Sequence, residues 1–116
     1  MHRPTRMLAE LSIIPLGKGT SLSDELSEIL KLIDASGLPY QLTPSGTCIE
    51  GDWDALMRVA RQCHDHARSV SQHVITTLVI EDEQGAHDKL NTNVTALEER
   101  LGRKLKRSSA AVASST

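Results

Sequence analysis

Two glutamates carry the clearest chemical signal in this sequence. Glu10 stands in an alternating run from Met7 to Leu16, and Glu50 closes a second extended run from Thr47. If the two runs are neighbouring strands, both carboxylates share one sheet face with apolar side chains. Carboxylates close together in a partly dry site call for a cation, a shared proton or a donor-rich ligand. The competing reading is structural: each glutamate accepts hydrogen bonds from a neighbouring subunit or sits at a wet strand end. A catalytic acid/base pair is the third option. No nucleophile, metal-ligand set or phosphate loop accompanies the pair, so the chain is read as a non-enzymatic binding protein.

Other chemically suggestive residues fit simpler roles. Gly17-Lys18-Gly19-Thr20-Ser21 joins a strand to a helix, where backbone N–H groups can hold an anion. The GxxxxGK[ST] spacing of a P-loop is absent, and a turn plus a helix cap accounts for the segment. Cys63, His64, Asp65 and His66 resemble a metal cluster. On a helix, though, Cys63 joins the core stripe while His64 and His66 diverge, and a metal site needs converging ligands. Trp53, early in a helix, is expected as a partly buried anchor, and His73 as a surface or interface residue. Cys48 and Cys63 form no CxxC pair, which fits a reduced cytoplasmic setting.

These residues must be positioned by a small set of elements. Ala9, Leu11 and Ile13 alternate with Leu8, Glu10, Ser12 and Ile14, predicting a strand over Met7 to Leu16. A helix follows, with Ser21 or Ser23 as cap, Asp24 and Glu25 in its first turn, a stripe of Leu26, Ile29, Leu30 and Ile33, and a stop at Gly37. Pro39 to Thr43 and Thr47 to Glu50 flank the turn signal Pro44-Ser45-Gly46, predicting a hairpin. Asp52 caps a second helix whose stripe is Leu56, Val59, Ala60, Cys63, Ala67 and Val70. Gln72 to Glu81 is rich in β-branched residues and reads as a fourth strand. Leu90, Val94, Leu97 and Leu101 mark a third helix.

The order β-α-β-β-α-β with right-handed crossovers predicts an α+β, ferredoxin-like sandwich with an additional C-terminal helix. Strands one and three should be central, with both crossover helices on one face. The other face should then carry Leu8, Glu10, Ser12, Ile14, Cys48, Glu50, Ile75, Thr77 and Val79. That face is too apolar for open water, so a covering subunit is expected. The third helix is expected at a subunit boundary, or over part of this face. The domain is set at 7–104, between a frayed N-terminal extension (1–6) and a disordered Ser/Ala-rich tail (105–116).

The 116 residues suffice for one domain. A net charge of −2 gives no electrostatic reason to expect nucleic acid. No apolar run is long enough to span a membrane. With no Phe, one Trp and one Tyr, the core must be aliphatic and few rings are available to stack on a planar ligand.

Several segments resemble one family. Ala9-Glu10-Leu11-Ser12-Ile13-Ile14-Pro15-Leu16-Gly17 is similar to its opening strand, and Ser21-Leu22-Ser23 to its paired serines before the first helix. Ser36-Gly37-Leu38-Pro39-Tyr40 resembles its helix-to-strand turn. Gly46-Thr47-Cys48-Ile49-Glu50-Gly51-Asp52 is close to its Gly-Thr-x-x-Glu-Gly-Asp segment. Together, from Met7 to Leu101, the chain resembles the thiamine-binding, YkoF-like family of small proteins in its single-domain branch. The resemblance implies binding of thiamine or a related pyrimidine or thiazole compound without chemistry, in a homotetramer built as a dimer of dimers. It carries over Glu10, Ser21, Ser23, Thr47 and Glu50 as ligand-binding residues, and Ser12 lies beside them on the first strand. Thiamine would be a ligand here and not a cofactor. The alternative is a structural or regulatory oligomeric protein with no such ligand.

Overall fold

The computed structural model describes residues 6–17, 22–85 and 88–104. The elements are β1 (Met7–Leu16), α1 (Leu22–Ala35), β2 (Tyr40–Thr43), β3 (Gly46–Gly51), α2 (Trp53–Val70), β4 (His73–Glu81) and α3 (Lys89–Leu101). The strands form one antiparallel sheet in the order β2-β3-β1-β4. Strands one and three are central, as two right-handed crossovers around a hairpin require. This is the expected ferredoxin-like α+β fold with a third helix appended. The N-terminal extension up to residue 5, the Lys18-to-Ser21 segment and the tail from residue 105 lie outside the described residues.

The alternation in β1 divides the sheet into two faces. Met7, Ala9, Leu11 and Ile13 are buried beneath α1 and α2 with Ile29, Ile33, Ile49, Leu56, Val59, Cys63 and Ala67. The other face carries Leu8, Glu10, Ser12 and Ile14. By register it also carries Cys48 and Glu50 from β3, and Ile75, Thr77, Val79 and Glu81 from β4. The core is aliphatic throughout.

Local signals set the ends of the elements. The Asp52 carboxylate accepts the Ala55 N–H at 2.8 Å and starts α2. Gly37, at φ 78°, takes the left-handed conformation that ends α1. Between β2 and β3 the Thr43 hydroxyl accepts the Gly46 N–H at 3.1 Å and donates to the Gly46 carbonyl at 2.9 Å, closing a tight hairpin.

Two expectations change. Trp53 is 53% exposed and anchors no core. It occupies the first helical position, one turn before Leu56, the first residue of α2 to be buried. Leu26, placed in the core stripe of α1, is 40% exposed, because the wall it forms faces a cleft and not the sheet.

Candidate functional site

The cleft arises from a mismatch in strand length. β1 has ten residues, but β3 pairs only with Met7 to Leu11 before the chain turns at Pro44-Ser45. Beyond Leu11, β1 continues with β4 alone. The side of β1 left free, the face of α1 that carries Leu26, Ile29, Leu30 and Ile33, and the β2–β3 hairpin enclose about 440 Å³. That lies within the range of small-molecule sites, roughly 300–1,000 Å³. Its walls are mainly aliphatic: Leu11, Ile13, Leu26, Ile29, Leu30 and Leu42. Polar groups come from β1 and the hairpin, at Ser12, Thr43, Ser45 and Thr47.

Glu10 stands next to this cleft, on the open face of the sheet. Its carboxylate accepts a hydrogen bond at 3.2 Å from the hydroxyl of Ser45, a cleft-lining residue. Gly46 permits this approach. A β-carbon there would stand 2.8 Å from the Leu11 carbonyl oxygen and 3.5 Å from Glu10 Cγ. Across the strands Glu10 is flanked by Cys48 on β3 and Val79 on β4. Burial pushes the Cys48 thiol above its ordinary value, and the Glu10 carboxylate adds to the shift by disfavouring a second negative charge.

Glu50 shares the open face but not its exposure. It lies diagonally across from Glu10, a relation that separates Cα atoms by roughly 7–8 Å in antiparallel sheets. It is 1% exposed, and its carboxylate accepts the Leu90 N–H, in the first turn of α3, at 3.2 Å. Asp88, which directly precedes the helix, adopts a left-handed φ of 60° and makes no side-chain cap. Glu50 therefore caps α3 from a distance, satisfying an N–H that the helix start leaves free. The next residue, Lys89, pairs with Glu81 at 3.2 Å and with Glu83, and Asn93 donates to Glu81 at 3.1 Å. α3 is thus pinned over β3 and β1 at one end of the open face.

The structure distributes the sequence-derived residues over both sides of the sheet. Glu10, Ser12 and Glu50 belong to strand positions of the open face, and Ser12 also lines the cleft. Thr47 is buried on the helix-covered face and lines the cleft from there. Ser23 lies in the first turn of α1, before Leu26, where α1 begins to line the cleft, and its side chain is outside the described residues, as is Ser21. Sequence reasoning missed Ser45, Leu26, Leu30 and Leu42. The available signal was the ten-residue first strand set against a hairpin of much shorter strands.

The metal-like cluster on α2 disperses. Cys63 is fully buried, His64 Nδ1 meets the Thr76 hydroxyl at 2.6 Å, and His66 Nε2 is buried without a hydrogen-bond partner. Among the described residues no group of three or more His, Cys, Asp or Glu is placed to hold a metal ion. No helix among them is long and apolar enough to cross a membrane.

Fold and geometry together define a small ferredoxin-like protein with one open sheet face and a ligand-sized cleft at the end of its hairpin. Residues 9–98 match the model of the family described as thiamine-binding protein, and the chain belongs to that family. It is 35% identical over 101 residues to a UPF0045 protein of Staphylococcus xylosus, covering 81% of this chain and 94% of the relative. It is 27% identical over 94 residues to the UPF0045 protein MJ1052 of Methanocaldococcus jannaschii, covering 81% and 94%. The crystal structure of MJ1052 superposes with a TM-score of 0.74 at 26% identity, over 81% of this chain and 97% of that one. A protein of Thermotoga maritima, solved as a candidate for thiamine biosynthesis or salvage, shares the fold at a TM-score of 0.67 and 17% identity, over 79% and 98%.

Proposed function

We propose that this protein binds thiamine, or a related pyrimidine or thiazole compound, in the cleft between α1 and the β2–β3 hairpin, and does no chemistry on it. The observation that carries this reading is the Glu10 carboxylate held by Ser45 beside an aliphatic cleft of ligand size. An anionic group next to an apolar cavity suits a flat, cationic heterocycle. The cavity removes ring surface from water, while the carboxylate offsets the thiazolium charge or accepts from an aminopyrimidine. Ser12, Ser21, Ser23 and Thr47 supply further hydrogen bonds. Membership in the thiamine-binding family supports the ligand class.

In this reading Glu50 acts on the ligand only through the structure around it, since its carboxylate is committed to α3. The protein works in the cytoplasm as a homo-oligomer, a dimer of dimers. Calorimetric titration with thiamine and its phosphates tests the proposal. Saturable heat and a raised melting temperature are expected. Neither signal at millimolar ligand would overturn it, and would favour an oligomeric interaction protein with no such ligand.

A further inference from the structure

The first strand outruns its partner and leaves backbone groups over. The Glu50 N–H donates to the Pro39 carbonyl at 2.9 Å, so on β3 the backbone groups of Glu50 and Cys48 point to the β2 side. Those of the alternate residues Thr47, Ile49 and Gly51 point to β1, where they meet Leu11, Ala9 and Met7. By the same alternation Ile13 is the next residue of β1 to face this side. The pairing with β3 has ended by then, at Leu11, and among the described residues no backbone group pairs with Ile13 there. Ile14, one residue on, faces β4 and is paired with Ile75. Pro15 comes next on the vacant side, where its missing N–H breaks no ladder. Ile13 is 7% exposed and lines the cleft. Its N–H and C=O therefore form a strand edge set in the wall of an aliphatic cavity, where an unpaired backbone group is costly.

We infer that the Ile13 N–H and C=O read the aminopyrimidine edge of the ligand, as a neighbouring strand would. The inference rests on the proposed ligand class and names the groups that select it. In an aminopyrimidine a ring nitrogen that accepts stands beside an exocyclic amine that donates. One residue of an extended strand offers the complementary set on one side, an N–H that donates and a C=O that accepts. Exposed sheet edges take up extended peptides through the same main-chain groups. Leu11 cannot serve, because it faces Thr47 across the ladder, and Pro15 offers only a carbonyl. The polar side chains of the cleft, Ser12, Thr43, Ser45 and Thr47, are all hydroxyls. A hydroxyl donates or accepts by rotation and does not tell an amine from a carbonyl. Ile13 lies three residues past Glu10, about 10 Å along the strand. An aminopyrimidine at Ile13 leaves the Glu10 carboxylate to the cationic ring at the other end of the molecule. A 4-oxopyrimidine is rejected, since its ring N–H and carbonyl would face the Ile13 N–H and C=O, like against like.

Two measurements on the full-length protein test this. The first is calorimetric titration with thiamine, pyrithiamine and oxythiamine. Pyrithiamine keeps the aminopyrimidine and carries a pyridinium for the thiazolium, whereas oxythiamine keeps the thiazolium and carries a carbonyl for the 4-amino group. Pyrithiamine is expected to bind nearly as thiamine does, and oxythiamine about 10- to 100-fold more weakly. The second is amide hydrogen exchange followed by NMR, with and without saturating thiamine. Protection of the Ile13 N–H is expected to rise by a larger factor than that of the Ile14 N–H, which faces β4. Equal affinity for oxythiamine and thiamine, or an equal rise at Ile13 and Ile14, would overturn the inference and leave the ligand class standing. Binding of none of the three compounds at millimolar concentration would overturn both.

Discussion

Glu10 and Glu50 are the same residue type on adjacent strands of one face, yet their surroundings give them different work. Glu10 is half-buried and accepts from an exposed serine, so its carboxylate can be shared with a ligand. Glu50 is sealed beneath α3 and satisfies a backbone N–H. Replacing Glu10 by Gln is therefore expected to leave the melting temperature nearly unchanged. It should weaken thiamine binding by about 10- to 100-fold, the equivalent of a charge-assisted hydrogen bond of roughly 1.5–3 kcal/mol. Replacing Glu50 by Ala should do the reverse, costing about 1–3 kcal/mol of stability by stranding the Leu90 N–H. Parallel calorimetry and thermal melts on the two variants separate the roles. The cysteines differ in the same way. Burial pushes the Cys63 thiol up to about 11, so it should resist alkylation at neutral pH until the protein unfolds. Cys48, half-exposed, should react slowly in the native state, and mass spectrometry of the labelled peptides distinguishes the two.

At the scale of elements, much of the architecture was legible in the sequence because local rules and burial agreed. β1 spans Met7–Leu16 as its alternation indicated, Asp52 caps α2, and Gly37 ends α1. The cleft was not legible, because it depends on where β3 stops relative to β1, which is a tertiary property of the hairpin. The role of Glu50 was hidden for the same reason: its partner lies forty residues away at the start of α3. Gly46 is where hairpin and site meet. Gly46→Ala would drive a methyl group into the Leu11 carbonyl, so the hairpin must shift off β1. A loss of about 1–3 kcal/mol, the usual cost of overpacking, is expected in a thermal melt, together with weaker ligand binding.

The attachment of α3 also has a pH dependence. Hydrogen bonds from Asn93 and then Lys89 hold the Glu81 carboxyl below its ordinary value of 4.5. A carboxyl depressed in the folded state contributes stability above that ordinary value and loses it as pH falls through the depressed one. Lys89 is raised, chiefly by Glu83, so it keeps its charge through neutral and mildly alkaline pH. α3 should therefore stay docked from neutral to mildly alkaline pH and loosen in acid. Hydrogen exchange of the 89–101 amides, corrected for intrinsic rates, should show protection falling below pH 4.5 while the β1 amides remain protected.

For the whole molecule, the unresolved demand is apolar surface. α3 covers only one end of the open face, where Leu90 and Val94 are half-buried, while Leu97 and Leu101 remain 55% and 58% exposed on the same helix. Ile14, Ile75 and Val79 stand exposed on the uncovered part of the sheet. Covering one leucine fully contributes about 1.5–3 kcal/mol. Two leucines repeated in each subunit of the proposed homo-oligomer can therefore hold subunits together face to face, the isologous closure that homo-oligomers favour. Leu97→Lys with Leu101→Lys removes that contribution from side chains the single subunit does not bury, so the fold should survive. Light scattering is expected to show a smaller assembly than the unmodified protein forms, with circular dichroism unchanged. An assembly of unchanged mass in the doubly substituted protein would place the interface elsewhere.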